Sequence, residues 1–140
     1  MKFMIKMEGQ AYALLRIVSG FMLIFHGLSK LESYELFNAS LSFLMVDHGR
    51  PPLFVVLLGV PIEVIGGILI MIGHRYTRES AFICSGFTAV AYWIAHFSIE
   101  KILPYANGGE LAALYAFVFL FIAAKGAGML SLDARTSATR

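Results

Sequence analysis

Four continuous apolar stretches run through this sequence and leave few folds open to it. They cover about residues 11–31, 53–72, 80–97 and 109–130. Each is close to the ~20 residues that an α-helix needs to cross a hydrocarbon core of ~30 Å. Because the apolar residues do not alternate with polar ones, helices are favoured over the strands of a barrel. The sequence therefore predicts an all-α protein, an integral membrane four-helix bundle in which residues 1–140 form a single transmembrane domain.

The composition excludes several other classes of protein. Only 14% of the residues are charged and 59% are apolar, whereas soluble domains contain about 25% charged residues. A soluble enzyme and a disordered tail are both excluded on this ground. The net charge is +2, without a run of basic residues, so nucleic acid is not an expected partner. The single cysteine, Cys84, excludes an internal disulfide and any metal centre with several cysteine ligands from this chain. No metal site is predicted.

The distribution of basic residues predicts the orientation in the membrane. With a cytoplasmic N-terminus, eight of the 11 basic residues fall on the cytoplasmic side and three on the outer side. The eight are Lys2, Lys6, Arg16, Arg75, Arg78, Lys125, Arg135 and Arg140, and the three are Lys30, Arg50 and Lys101. Both termini are therefore expected in the cytoplasm, which makes the chain a multi-pass membrane protein.

Two segments allow another interpretation. The first apolar stretch could be a cleaved signal peptide, but its apolar core is long for one and no small-x-small site follows it closely. Residues 32–52 are half apolar, and we expect them to form a short helix that lies in the membrane interface.

Small residues recur every seven positions in the first two stretches. They are Ala13, Gly20 and Gly27 in the first, and Gly59, Gly66 and Gly73 in the second. Seven residues is nearly two helical turns, so each set lies on one face of its helix. Such faces let helices pack closely in lipid.

Five ionisable side chains lie where charge is costly in a membrane, and they come from all four stretches. They are His26, Lys30, Glu63, His96 and Glu110. In the predicted topology four of them fall in the outer half of the bundle. Glu63 lies just below them, about ten residues into the second helix and hence roughly 15 Å deep. Intramembrane ionisable residues are candidates for function, and their common depth favours one site.

Each of these residues also has a structural explanation. His26 could make an interhelical hydrogen bond, Lys30 could extend to the interface, and Glu110 is favoured by the dipole of the first helical turn. Glu63 has to be either protonated or paired. On the cytoplasmic side, Arg16 and Asp133 are predicted to form a structural ion pair between the first and fourth helices.

Four segments of the chain resemble a known family of small bacterial membrane proteins. They are LLRIVSGFMLIFHGLSKL at 14–31, GVPIEVIGGILIMIGHRYTR at 59–78, AYWIAHF at 91–97 and NGGELAALYAFVFLFIAAKGAGMLSLD at 107–133. In this order and spacing they resemble the four helices of the DoxX family. The resemblance implies a four-helix inner-membrane bundle. It also implies a link to quinone-dependent oxidoreduction, since some members are associated with thiosulfate:quinone oxidoreductases, although most members have no established activity.

The function that the resemblance implies is that of a quinone-linked oxidoreductase subunit. His26, Glu63 and His96 are then the candidate catalytic residues, with the histidines donating to the quinone carbonyls and Glu63 relaying protons. The candidate binding residues are Lys30, Tyr92, Trp93, Asn107 and Glu110, of which the two aromatics could stack on the quinone ring. A haem held between His26 and His96 is a less favoured variant. Electrons would have to come from a bound substrate or a soluble redox partner protein.

Two other functions remain open at this stage. A transporter of small solutes or a proton-coupled carrier would suit Glu63 beside the proline of the second helix, Pro61, and would need a homo-oligomer. A non-catalytic anchor or assembly partner for a redox enzyme would use the polar residues only to hold the helices together.

Overall fold

The protein is all-helical in the part that the structure describes. This computed structural model describes residues 2–32 and 53–138, and the interfacial helix predicted within residues 32–52 therefore lies almost entirely outside it. The described residues contain an isolated bridge between Ser98 and Lys101 but no strand. The helices are α1 (Lys2–Lys6), α2 (Glu8–Glu32), α3 (Leu53–Ile72), α4 (Thr77–Ala95), α5 (Pro104–Asn107), α6 (Glu110–Lys125) and α7 (Leu132–Ala138).

The four long helices pack as two pairs of sequence neighbours. α2 packs along α3, and α4 packs along α6, each over an extensive surface. The two pairs are joined mainly where α3 meets α4, whereas α2 and α6 contact each other at few points. The core lies between the helices and includes Leu23, Ile70, Cys84 and Phe119.

The outer surface of the helices is far more apolar than that of a water-soluble domain. Phe25, Leu58, Phe82 and Phe117, one from each long helix, are more than half exposed. The buried residues include Glu63, along with several serines and threonines. Large apolar side chains on every outer face are expected when lipid solvates the surface. Within the described residues, the helix over 8–31 is long and apolar enough to cross a membrane by length and composition, and Val56–Ile72 is a shorter apolar helix.

The last long helix is shorter than the sequence pattern predicts. The apolar pattern predicts a helix that continues to about residue 130, but α6 ends at Lys125. The next residue, Gly126, has φ = 86°, and Gly128 and Leu130 also have positive φ, a conformation that cannot continue a right-handed helix. The guanidinium of Arg78 donates to the carbonyl oxygens of Ala123 and Lys125. It thus provides hydrogen-bond donors for carbonyl groups in the last turn of α6. Glycine in the left-handed region therefore ends the helix although the sequence stays apolar.

Close packing of α2 on α3 depends on glycine. A Cβ atom on Gly20 would lie 2.7 Å from the carbonyl oxygen of Gly67, and a Cβ on Gly67 would lie 2.7 Å from that of Gly20. Gly27 lies against Glu63 and Val64 in the same way. The small-residue face of α2 therefore packs on α3. In the second set, Gly66 contacts Cys84 and Gly59 contacts Phe87, both on α4, whereas Gly73 follows α3 and lies against Ser131 and Arg16.

We predict that Gly20→Ala destabilises the protein by about 1–3 kcal/mol, because the added methyl group meets backbone atoms that can move only if the helices separate. The matched control is Gly86→Ala on α4, where a Cβ atom meets nothing within 4 Å. This control should leave stability unchanged or raise it by up to ~1 kcal/mol through helix propensity. Thermal unfolding in detergent measures both. Equal effects of the two substitutions would contradict the proposed backbone contact.

Candidate functional site

The candidate site is built around a buried ion pair between α2 and α3. The ammonium group of Lys30, in the last turn of α2, lies 2.6 Å from both carboxylate oxygens of Glu63. Only 2% of the Glu63 side chain is exposed, against 18% for Lys30. Gly27, one turn before Lys30, brings the α2 backbone close to the Cβ atom of Glu63. Glu63 thus has a charged partner in a buried position, where an unpaired carboxylate would be expensive.

A third side chain completes this site from α4. The ammonium nitrogen of Lys30 lies 5.4 Å from the centroid of the Phe87 ring. Such a cation–π contact is worth roughly 0.5–1 kcal/mol when exposed and about 2 kcal/mol when desolvated. Gly59, one turn before Glu63, packs against the same ring. Lys30, Glu63 and Phe87 together are called the Lys30–Glu63 site below.

Phe87 was not among the residues that sequence reasoning selected. In an apolar helix its ring looks like any other lipid-facing or core side chain. The sequence feature that points to this contact is on α3, where Gly59 allows a close approach one turn from Glu63.

A second group of predicted residues lies where α4 ends and α6 begins. The Asn107 side-chain amide donates to the Tyr92 hydroxyl at 3.2 Å and to the Lys101 carbonyl at 3.1 Å. Its oxygen accepts from the Gly109 backbone N–H at 2.9 Å. The His96 ring lies parallel to the Tyr92 ring, with 6.5 Å between centroids. The polar atoms of Asn107 are therefore occupied in holding the connection between the two helices.

The remaining predicted residues lie outside both groups. Trp93 is mostly exposed and contacts the rings of Tyr92 and Phe97. His26 and Glu110 are exposed. In the described residues neither their side chains nor that of His96 form a hydrogen bond or ion pair with Glu63. The five ionisable residues that the sequence predicts at one site are therefore divided in the structure. Lys30 and Glu63 are in direct contact with each other.

Within residues 2–32 and 53–138, three His, Cys, Asp or Glu side chains nowhere come together in a way that could hold a metal ion.

At the other end of the helices the structure corrects the predicted Arg16–Asp133 ion pair. Arg16 is fully buried. Its guanidinium donates to the carbonyls of Ile70 and Met71, at 2.6 and 2.8 Å, and to that of Leu130, at 3.0 Å. The last carbonyls of a helix lack intrahelical partners and carry the negative end of its dipole, so the C-terminus of α3 takes the place of the carboxylate. Asp133 instead donates its backbone N–H to Gly73.

Comparison with known proteins establishes the family. The family model of DoxX matches residues 11–97. The chain belongs to the DoxX family. An uncharacterised protein from Haemophilus influenzae is 42% identical over 123 residues, which cover 86% of this chain and 87% of the relative. No solved structure matches. DoxX proteins are membrane proteins, which agrees with the lipid-type surface, and the matched segment contains the whole Lys30–Glu63 site.

Proposed function

We propose that this DoxX protein is the membrane subunit of a quinone-linked oxidoreductase and that the quinone head group binds at the Lys30–Glu63 site. The observation that supports this proposal is the buried ion pair itself. Two charged groups in a hydrocarbon environment carry a large desolvation penalty, and apolar residues of similar size would pack there without it. Ionisable residues in such positions commonly mark the path of a substrate or of protons.

The geometry of the pair favours particular roles. A quinone has two carbonyl oxygens, and its reduction to a quinol adds two electrons and two protons. Lys30 is the more exposed member of the pair, so an approaching carbonyl would meet its ammonium group first and accept a hydrogen bond from it. Glu63 would then relay a proton toward the reduced oxygen. The electrons would come from a reduced group on a soluble redox partner protein, since one cysteine cannot supply a dithiol.

The histidines keep a role in this proposal as donors to the second carbonyl. His26 lies four residues before Lys30 and therefore on the same face of α2. His96 follows α4 directly and lies beside Tyr92.

We also propose that all four long helices cross a bacterial inner membrane as a four-helix bundle, with both termini in the cytoplasm. The excess of basic residues on that side supports this topology. Reporter fusions that are active only in the cytoplasm should give a signal from both termini. A periplasmic signal from either terminus would contradict it.

Binding of a short-chain benzoquinone to the purified protein in detergent tests the functional proposal. The variant is Lys30→Met combined with Glu63→Leu, which removes both charges without leaving one unpaired. We expect its affinity for the quinone to fall at least tenfold. Lys101→Met, which removes an exposed lysine from the same side of the membrane, is the control and should bind as the wild type does. A folded double variant with wild-type affinity would refute the proposed site.

A further inference from the structure

An open apolar groove lies between α2 and α6, where these helices contact each other little. Its volume is about 460 Å³, within the range of roughly 300–1,000 Å³ typical of small-molecule sites. On α2 its wall extends from Ala11 to Met22, about 16 Å by helical rise. On α6 the wall includes Leu111, Leu114 and Val118. The groove is therefore elongated and follows the helices.

One polar atom in the wall of this groove lacks a partner. Tyr115 lines the groove, and only 7% of the residue is exposed. Its ring stacks on Phe119, but its hydroxyl forms no hydrogen bond within the part of the chain that the structure describes. The other hydroxyl in the wall, that of Ser19, donates to the Arg16 carbonyl at 3.3 Å. A hydroxyl without a partner is costly in an apolar medium, where water cannot replace the missing bond.

We propose that this groove binds an elongated, uncharged lipophilic molecule whose carbonyl oxygen accepts a hydrogen bond from Tyr115. The length and the apolar wall suit a hydrocarbon chain. Among the described residues, the wall contains no ionised side chain, so an anionic fatty acid lacks a counter-charge from them. The unpartnered hydroxyl requires an acceptor at its own depth.

The depth of Tyr115 distinguishes this ligand from ordinary bilayer lipid. Tyr115 comes five residues after Glu110, the first residue of α6, and is therefore about 7.5 Å farther along the helix. The ester carbonyls of a phospholipid stay near the headgroups, at the helix ends. A carbonyl carried on a neutral chain can lie deeper. The inference does not depend on quinone chemistry or on the Lys30–Glu63 site.

A matched pair of probes tests the hydrogen bond. The protein is reconstituted in phosphatidylcholine nanodiscs, and its retention of 2-heptadecanone and of heptadecane is compared. We expect the wild type to retain the ketone roughly five- to tenfold better, the size of one net hydrogen bond. Tyr115→Phe removes only the hydroxyl and should abolish this preference. Equal retention of the two probes by the wild type would mean that acyl chains simply fill the groove, and it would overturn the proposal, as would a preference that persists in Tyr115→Phe.

A second pair of variants tests the location. Leu114→Trp places a large ring in the groove, whereas Leu120→Trp makes the same change on the same helix outside its wall. Both leucines are exposed, by 61% and 46%, so neither change disturbs the core. We expect Leu114→Trp to lose the retained ketone and Leu120→Trp to keep it. If both variants lose the retained ketone, or if neither does, the ketone binds outside this groove.

Discussion

Removing one member of the Lys30–Glu63 pair is expected to lower the free energy of unfolding by about 3–5 kcal/mol, because the other charge remains buried without a partner. Removing both is expected to lower it far less, since apolar residues of similar size leave no charge to desolvate. The variants are Lys30→Met, Glu63→Leu and their combination. The informative result is whether the double variant loses less unfolding free energy than the sum of the two single variants. A loss equal to that sum would mean that the two side chains do not interact.

Thermal or denaturant unfolding in one detergent measures all three variants. Another ion pair of the described residues, Lys125 with Glu8, provides the control because its side chains are more exposed, by 33% and 73%. Exposed pairs contribute little, so Glu8→Gln should leave the unfolding midpoint unchanged. A double variant at the Lys30–Glu63 site that is as unstable as the sum of its parts would contradict the buried pair.

Arg16→Ala is expected to be the most damaging substitution at the end of the helices away from the Lys30–Glu63 site. It removes three hydrogen bonds from a guanidinium to backbone carbonyls. Hydrogen bonds to charged groups are worth about 1.5–3 kcal/mol each, so we expect a loss of more than about 3 kcal/mol. Arg16→Lys should recover only part of it, since one ammonium group cannot reproduce the planar arrangement of donors.

The informative comparison for Arg16 is Asp133→Ala. Its carboxylate makes no contact with Arg16 in the structure, so we expect stability and membrane yield close to those of the wild type. Size-exclusion chromatography in detergent gives the folded yield of each variant. Equal losses of folded yield in Arg16→Ala and Asp133→Ala would support the predicted ion pair. They would contradict the contacts of Arg16 with the backbone carbonyls.

The sequence predicted the helical class well because continuous apolar stretches allow little else in a membrane. It also predicted that Glu63 needs to be paired or protonated, which follows from depth alone. It could not select Lys30 as the partner over His26 or His96. That choice depends on how α2 is rotated about its axis, and the rotation is set by the contacts of Gly20 and Gly27 with α3.

Two errors have identifiable physical causes. The apolar pattern predicts a fourth helix that extends beyond Lys125, because residues 126–130 stay mostly apolar, but Gly126 and Gly128 together end the helix. The sequence predicts an Arg16–Asp133 pair because a buried charge suggests an opposite charge. The carbonyls at the end of α3 were a closer acceptor, and their position depends on tertiary packing that no local pattern records.

The weak contact between α2 and α6 determines how a molecule can reach the space between them. At the end away from the Lys30–Glu63 site the two helices are held together, since the Tyr12 hydroxyl donates to the Gly126 carbonyl and Lys125 pairs with Glu8. Farther along they separate, and the gap opens sideways into the bilayer. A molecule would diffuse in laterally, in the plane of the membrane. Its occupancy of the groove would then follow its concentration dissolved in lipid, which for a lipophilic compound far exceeds its concentration in water.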